Sequence, residues 1–178
     1  MSLDAIKERI PDYAKDIRIN IGRILTEQNS KGLSQAQIYG LALAIAYATE
    51  NQTVINDFKK LVSDELEESE INGIKSAVSI MAMNNVYYRT IGMLSDKTIS
   101  QLQTGLRMQV IGKPGIDQVN FELYSLGVSA VNGCTHCVDS HAKKLIAEGL
   151  SHEAIQATIR IASVIKAIAQ VIQIEGGY

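Results

Sequence analysis

The chain has 178 residues, is 46% hydrophobic and 20% charged, and carries a formal net charge of -2 with a sequence pI near 5.9. That is the composition of a single soluble domain, long enough to bury a real core, and it lacks the basic footprint that nucleic-acid binding needs. The most apolar stretch, AIQATIRIASVIKAIAQVIQI, is interrupted by Arg160, Lys166 and three glutamines, which reads as a core helix rather than a membrane span.

The first twenty residues, MSLDAIKERIPDYAKDIRIN, carry charge throughout and lack the apolar core of an export signal. The expected location is therefore the cytoplasm, where thiols stay reduced. Two prolines, Pro11 and Pro114, and very few alternating runs predict an all-α fold. Helices are expected over 3–28, 35–49, 52–66, 70–94, 118–132, 135–148 and 152–174. Ser34, Ser69, Asp117, Thr135 and Ser151 each precede an apolar-periodic run, where a short side-chain oxygen can accept from the first free N–H groups. Gly133 and Gly149 stand where a left-handed residue would end a helix, and GKPGID at 112–117 is the clearest linker.

A shift of 83 residues lays LSQAQIYGLALAIAYATEN (33–51) over IDQVNFELYSLGVSAVNGC (116–134). Gln35 then matches Gln118, Glu70 matches Glu153, and a helix–turn–helix pattern is shared. On this reading one domain, 1–178, holds two related helical repeats. The first copy has Asn51, Val54 and Phe58 where the second has Cys134, Cys137 and His141, so 1–111 is scaffold and 112–178 is catalytic.

NGCTHCVDSHA, residues 132–142, holds both cysteines of the chain and two of its three histidines. On a helix turning about 100° per residue, Cys134, Cys137 and His141 share one face while His136 falls roughly opposite. Cys134 at the helix start meets free N–H groups and the positive end of the macrodipole, which favour a thiolate. His141, one turn past Cys137, can take a proton from it or pair with it. Three readings stay open on these residues. A redox dithiol fits the Cys-x-x-Cys. A zinc site would need His136, His152 or Glu122 as fourth ligand. Inert buried cysteines are the third. Glu122 is a lone carboxylate on an apolar helix. By itself it reads as a residue of the solvent-facing stripe, and with a partner it would extend a Glu–His–Cys relay.

Glu122, Cys134, His136, Cys137 and His141 together fill E-x11-C-x-H-C-x3-H, and in this the chain resembles the alkyl hydroperoxidase D family of the carboxymuconolactone decarboxylase-like superfamily. MAMNNVYYR (81–89), GLRMQVIGKPGI (105–116) and the overall length share the resemblance. It implies an all-helical homotrimer that reduces alkyl hydroperoxides and hydrogen peroxide without haem or metal, an antioxidant peroxidase. Cys137 would be the peroxidatic thiolate that becomes a sulfenic acid. Cys134 would donate a proton and then close the Cys134–Cys137 disulfide. Glu122 and His141 would relay protons through water, with His136 in support. Helix-terminus electrostatics alone would favour Cys134 as the thiolate, and the resemblance favours Cys137. No bound cofactor is implied. Electrons would come from protein-bound dihydrolipoamide on a lipoyl-bearing acyltransferase recharged by lipoamide dehydrogenase, and a peroxiredoxin of the AhpC type is a further partner. The alternative is a disulfide adaptor that passes electrons to that peroxiredoxin with little peroxidase activity of its own. Decarboxylase relatives of this fold lack the Cys pair, which argues against that third chemistry.

Overall fold

The computed structural model describes residues 2–176, and among these it contains eight α-helices and no strand, as an all-α reading requires. They are α1 (Leu3–Lys7), α2 (Lys15–Ile24), α3 (Gln35–Ala48), α4 (Gln52–Leu61), α5 (Glu68–Met93), α6 (Gln118–Val131), α7 (Thr135–Ala147) and α8 (His152–Ile174). Single 3-10 turns lie at Asp12–Ala14, Ile99–Gln101 and Gln109–Ile111.

The expected helix over 3–28 is in fact two helices, and Pro11 is the reason. It has no N–H to give and restricts the residue before it, so α1 stops and the chain restarts through the turn at Asp12–Ala14. The expected helix over 52–66 ends at Leu61, where Lys59 and Lys60 suit the negative end. The acidic run that follows does not suit it, and Glu68 and Glu70 lie in the first turn of α5, where negative charge is favoured. Ser69 is consequently inside α5, and the capping position falls to Glu67, whose side chain makes no cap bond. Ser34, Asp117 and Ser151 cap as expected, each accepting from a backbone N–H three residues on. At Ser34 the bond is reciprocal, since Gln37 Oε1 accepts from the Ser34 N–H.

The centre of the molecule is α3 against α6. Ile38, Gly40 to Ala46 on α3 and Phe121 to Ser129 on α6 are buried, and helices apolar all round belong inside a core. Two glycines let their backbones approach. A methyl on Gly40 would lie 2.2 Å from Tyr124 Oη, and one on Gly127 would lie 2.6 Å from Leu41 Cδ1. Around this pair pack α5, α8 and α4, with α2 laid on α8 and α7 on α6 and α5. A polar chain pins the layers together. Gln37 Nε2 donates to Asn120 Oδ1, Asn120 Nδ2 donates to Glu70, and the Tyr124 hydroxyl donates to the same Glu70 oxygen. Burial, with the Glu70 carboxylate beside it, pushes the Tyr124 hydroxyl pKa well above its ordinary value.

By length and composition alone α8 is apolar enough to cross a membrane, but half of its apolar window is buried inside the protein against α2, α3 and α6. The starts of α6, α7 and α8 follow those of α3, α4 and α5 by 83, 83 and 84 residues.

The close approach at Gly40 has a measurable consequence. Gly40→Ala must displace the Tyr124 ring and disturb its bond to Glu70, and should lower stability by about 1–3 kcal/mol. Gly92→Ala, with nothing within 4 Å of the new methyl, should be neutral or slightly stabilising. Urea midpoints of the two variants check the contrast.

Candidate active site

The turn between α6 and α7 carries the cysteines, and backbone hydrogen bonds define it closely. Gly133 takes φ +66°, so the Gly133 N–H reaches Ala130 O and the Cys134 N–H reaches Ser129 O, the paired bonds of a left-handed helix end. Cys134 is thereby both the last residue of this closure and the cap of α7. Its Sγ accepts from the Cys137 N–H at 3.3 Å, the place expected for Thr135, which is instead the first helical residue. A sulfur does here what Asn51 Oδ1 does for Val54 N at the head of α4.

Cys134 and Cys137 are joined in a disulfide with Cα atoms 5.3 Å apart. Both are buried, but only Cys137 lines the adjacent cleft. That cleft, about 280 Å³, is walled by Met81, Asn84 and Tyr88 of α5, by Glu122 of α6, and by His136, Ser140, His141 and Lys144 of α7, with Met108 and Ile111 across the mouth.

Glu122 is the electrostatic centre. The stripe position that the sequence suggests for it is wrong: the residue is 2% exposed. Its Oε2 lies 2.6 Å from His141 Nδ1, and its Oε1 takes bonds from Lys144 Nζ at 2.6 Å and Gln118 Nε2 at 3.1 Å. Burial by itself would raise the Glu122 pKa. The hydrogen bonds and charges of His141 and Lys144 outweigh it and hold the carboxyl below its ordinary range.

His141 sits on the Cys137 face, yet its two ring nitrogens are already taken. Nδ1 meets Glu122, and Nε2 lies 3.2 Å from Met81 Sδ. No hydrogen bond joins His141 to Cys137 among the described residues, so direct pairing of the two is absent from this disulfide form. His136 is exposed and stacks on Tyr88, ring centroids 5.0 Å apart. The helical wheel sets it roughly opposite the shared face of Cys134, Cys137 and His141, yet Tyr88 of α5 stacks on it and both line the cleft. His152 lies at the start of α8, outside this cleft. Among the described residues no three His, Cys, Asp or Glu side chains are grouped to hold a metal ion.

Sequence reasoning passed over Met81, Asn84, Tyr88, Gln118 and Lys144. For the first three the usable signal is their spacing along MAMNNVYYR, which gives one helical face, although nothing local says what that face opposes. Gln118 is one turn before Glu122, and Lys144 one turn after His141, so each extends a face already singled out.

Comparison with known proteins decides the family. The chain is 49% identical over 173 residues to an alkyl hydroperoxide reductase AhpD of Coxiella burnetii (strain RSA 493 / Nine Mile phase I), covering 97% of this chain and 98% of that protein. The chain belongs to the alkyl hydroperoxidase D family. An AhpD of Rhodopseudomonas palustris (strain BisB18) is 46% identical over 99% of the chain and 95% of its own length. One of Streptomyces griseus is 43% identical over 98% and 97%. The sequence profile of the carboxymuconolactone decarboxylase family matches residues 98–174, which span α6, α7 and α8 and thus Glu122 and the Cys pair.

The depressed Glu122 pKa makes a signed prediction. A carboxylate whose pKa is lower folded than unfolded adds stability above its ordinary value of 4.5 and loses it as pH falls through the folded value. Glu122→Gln should therefore be less stable than wild type at pH 7, by about 1–3 kcal/mol, with the gap closing on acidification below pH 4.5. Denaturant unfolding of both proteins across that range checks it.

Proposed function

We propose that the protein is an antioxidant, lipoyl-dependent alkyl hydroperoxide reductase working through a Cys134–Cys137 dithiol/disulfide cycle. The observation that carries this reading is the position of Cys137, which lines a cleft beside its disulfide partner and a buried Glu122–His141–Lys144 array. The names of the 43–49% identical relatives support the same chemistry.

In the reduced protein the Cys137 thiolate attacks the terminal oxygen of a hydroperoxide. A sulfur–oxygen bond forms, the oxygen–oxygen bond breaks, and the alkoxide leaves with the electron pair. It takes a proton from the Cys134 thiol or from the His141–Glu122 pair. Cys134 then attacks the sulfenic sulfur, water departs, and the disulfide closes. Dihydrolipoamide on an acyltransferase restores both thiols by exchange, itself ending as a cyclic disulfide that lipoamide dehydrogenase reduces. His136, stacked on Tyr88 at the mouth, supports the site. A peroxiredoxin is a second electron acceptor on this reading.

The active form is a homotrimer in the cytoplasm; the large apolar side chains left exposed on and after α5, among them Val86, Met93 and Leu102, support the self-association part of this reading. The domain is a pair of related helical units. The common 83-residue spacing of α3 with α6 and of α4 with α7, and the matched caps Asn51 and Cys134, support this reading. Residues 112–178 then carry the thiols and the acid–base array, while 1–111 serve as scaffold and also supply the facing wall of the cleft through α5.

With lipoamide and lipoamide dehydrogenase as the reducing system, the purified protein should turn over tert-butyl hydroperoxide, and Cys137→Ser should reduce that rate by about a hundredfold or more. A wild-type rate no higher than that of the reductant alone would leave only the adaptor reading.

A further inference from the structure

The two sulfurs of the disulfide differ in access. Cys134 is 0% exposed, whereas Cys137 is 4% exposed and lines the cleft of about 280 Å³. They differ also in the charge each can carry. Cys134 caps α7, a helix of 13 residues, and its Sγ already accepts from the Cys137 N–H at 3.3 Å. A negative sulfur at that position meets free N–H groups and the positive end of the helix dipole. Cys137 lies within the helix, one turn further from that end.

Thiol–disulfide exchange has a direction. An incoming thiolate attacks one sulfur and expels the other, and the rate follows both the access of the sulfur attacked and the stability of the thiolate expelled. Here access and leaving-group chemistry select the same direction: Cys137 is the sulfur that can be reached, and Cys134 is the one that can best depart.

We propose that the reductant enters by the cleft that Cys137 lines, that its thiolate attacks Cys137 Sγ, and that Cys134 is the sulfur expelled. The inference deepens the lipoyl-dependent reading above and rests on it for the identity of the dithiol. One sulfur of the dihydrolipoyl group, as thiolate, bonds to Cys137 Sγ. The Cys134–Cys137 bond breaks, and its electron pair goes to Cys134. The second sulfur of the group then loses its proton, attacks the first and closes the cyclic disulfide, and Cys137 departs with the electron pair. Two electrons pass from the dithiol to the protein disulfide, and the two protons go to the cysteines or to water. Peroxide and reductant thus meet one sulfur through one opening and cannot occupy it together. The helix-terminus field at Cys134 finds its use in the return half of the cycle rather than in the attack on peroxide.

The direction of attack is read without peroxide. Oxidised wild-type protein is treated briefly with 2-mercaptoethanol, a monothiol that cannot close a ring, then quenched in acid, alkylated with N-ethylmaleimide and fragmented for mass analysis. The mercaptoethanol mass should lie on Cys137 and the maleimide on Cys134, in about tenfold or greater excess over the reverse. An adduct on Cys134, or one shared evenly, overturns the proposal. Should no adduct accumulate, Ser140→Trp decides, since Ser140 is exposed and lines the cleft. Reduction of the oxidised variant by dihydrolipoamide, counted as free thiols, should be slower by about tenfold or more at an unchanged urea midpoint. An unchanged reduction rate overturns the proposal. A Cys137 adduct on protein that shows no peroxidase turnover would end the peroxidase reading and leave the direction of attack standing.

Discussion

A carboxylate buried in an apolar helix is the constraint from which the site follows. Glu122 lies in the most enclosed part of α6, where an unpaired charge would be very costly. It is tolerated because Gln118, His141 and Lys144 converge on its two oxygens. Removing one member would leave a buried group short of its partner, so the array acts as a clasp between α6 and α7 as well as an electrostatic device. It fixes the ring of His141, and with it the face of α7 that carries Cys137. Lys144 reaches Glu122 although its side chain is 42% exposed, and it connects the buried charge to the cleft mouth.

The rest of the architecture holds that clasp in register with the sulfurs. Gly133 turns the chain sharply enough for Cys134 to close α6 and open α7 in one residue, which sets the two cysteines at the disulfide separation. Asn85 and Arg89 tie α5 to the same turn, and Met81, Asn84 and Tyr88 then form the opposite wall. On the proposed chemistry this division has a purpose. The α6–α7 side supplies the thiols and the proton relay, while α5 walls the cleft onto which Cys137 opens. α3 adds rigidity, since its Gly40 and Gln37 lock α6 by contact and hydrogen bond.

Much of this was legible in the chain. Ser34, Asp117 and Ser151 mark helix starts because a short oxygen at the cap position has few other roles, and Gly133 and Gly149 mark ends because φ is positive there. The shared face of Cys134, Cys137 and His141 follows from helical spacing alone. Other features depended on tertiary contacts that spacing cannot convey. Read alone, Glu122 looks like a surface carboxylate; the motif spacing marks it for the site, but its burial and its partners, two of them on another helix, come only from the fold. His136 belongs to the cleft only because Tyr88, 48 residues earlier, stacks on it. The break at Pro11 and the cap at Cys134 rather than Thr135 are local, and both follow from rules that outrank hydrophobic periodicity: a missing N–H in the first case and the closing bonds of the preceding helix in the second.

The central claim is that Cys137, which lines the cleft, is the sulfur that meets the peroxide, despite the nearer helix-terminus field at Cys134. Trapping of sulfenic acid in the Cys134→Ser and Cys137→Ser proteins after peroxide treatment tests it most directly. The account predicts a trapped sulfenic acid on Cys137 in the Cys134→Ser protein and none in the Cys137→Ser protein. Sulfenic acid formed only at Cys134, in the Cys137→Ser protein, would contradict it.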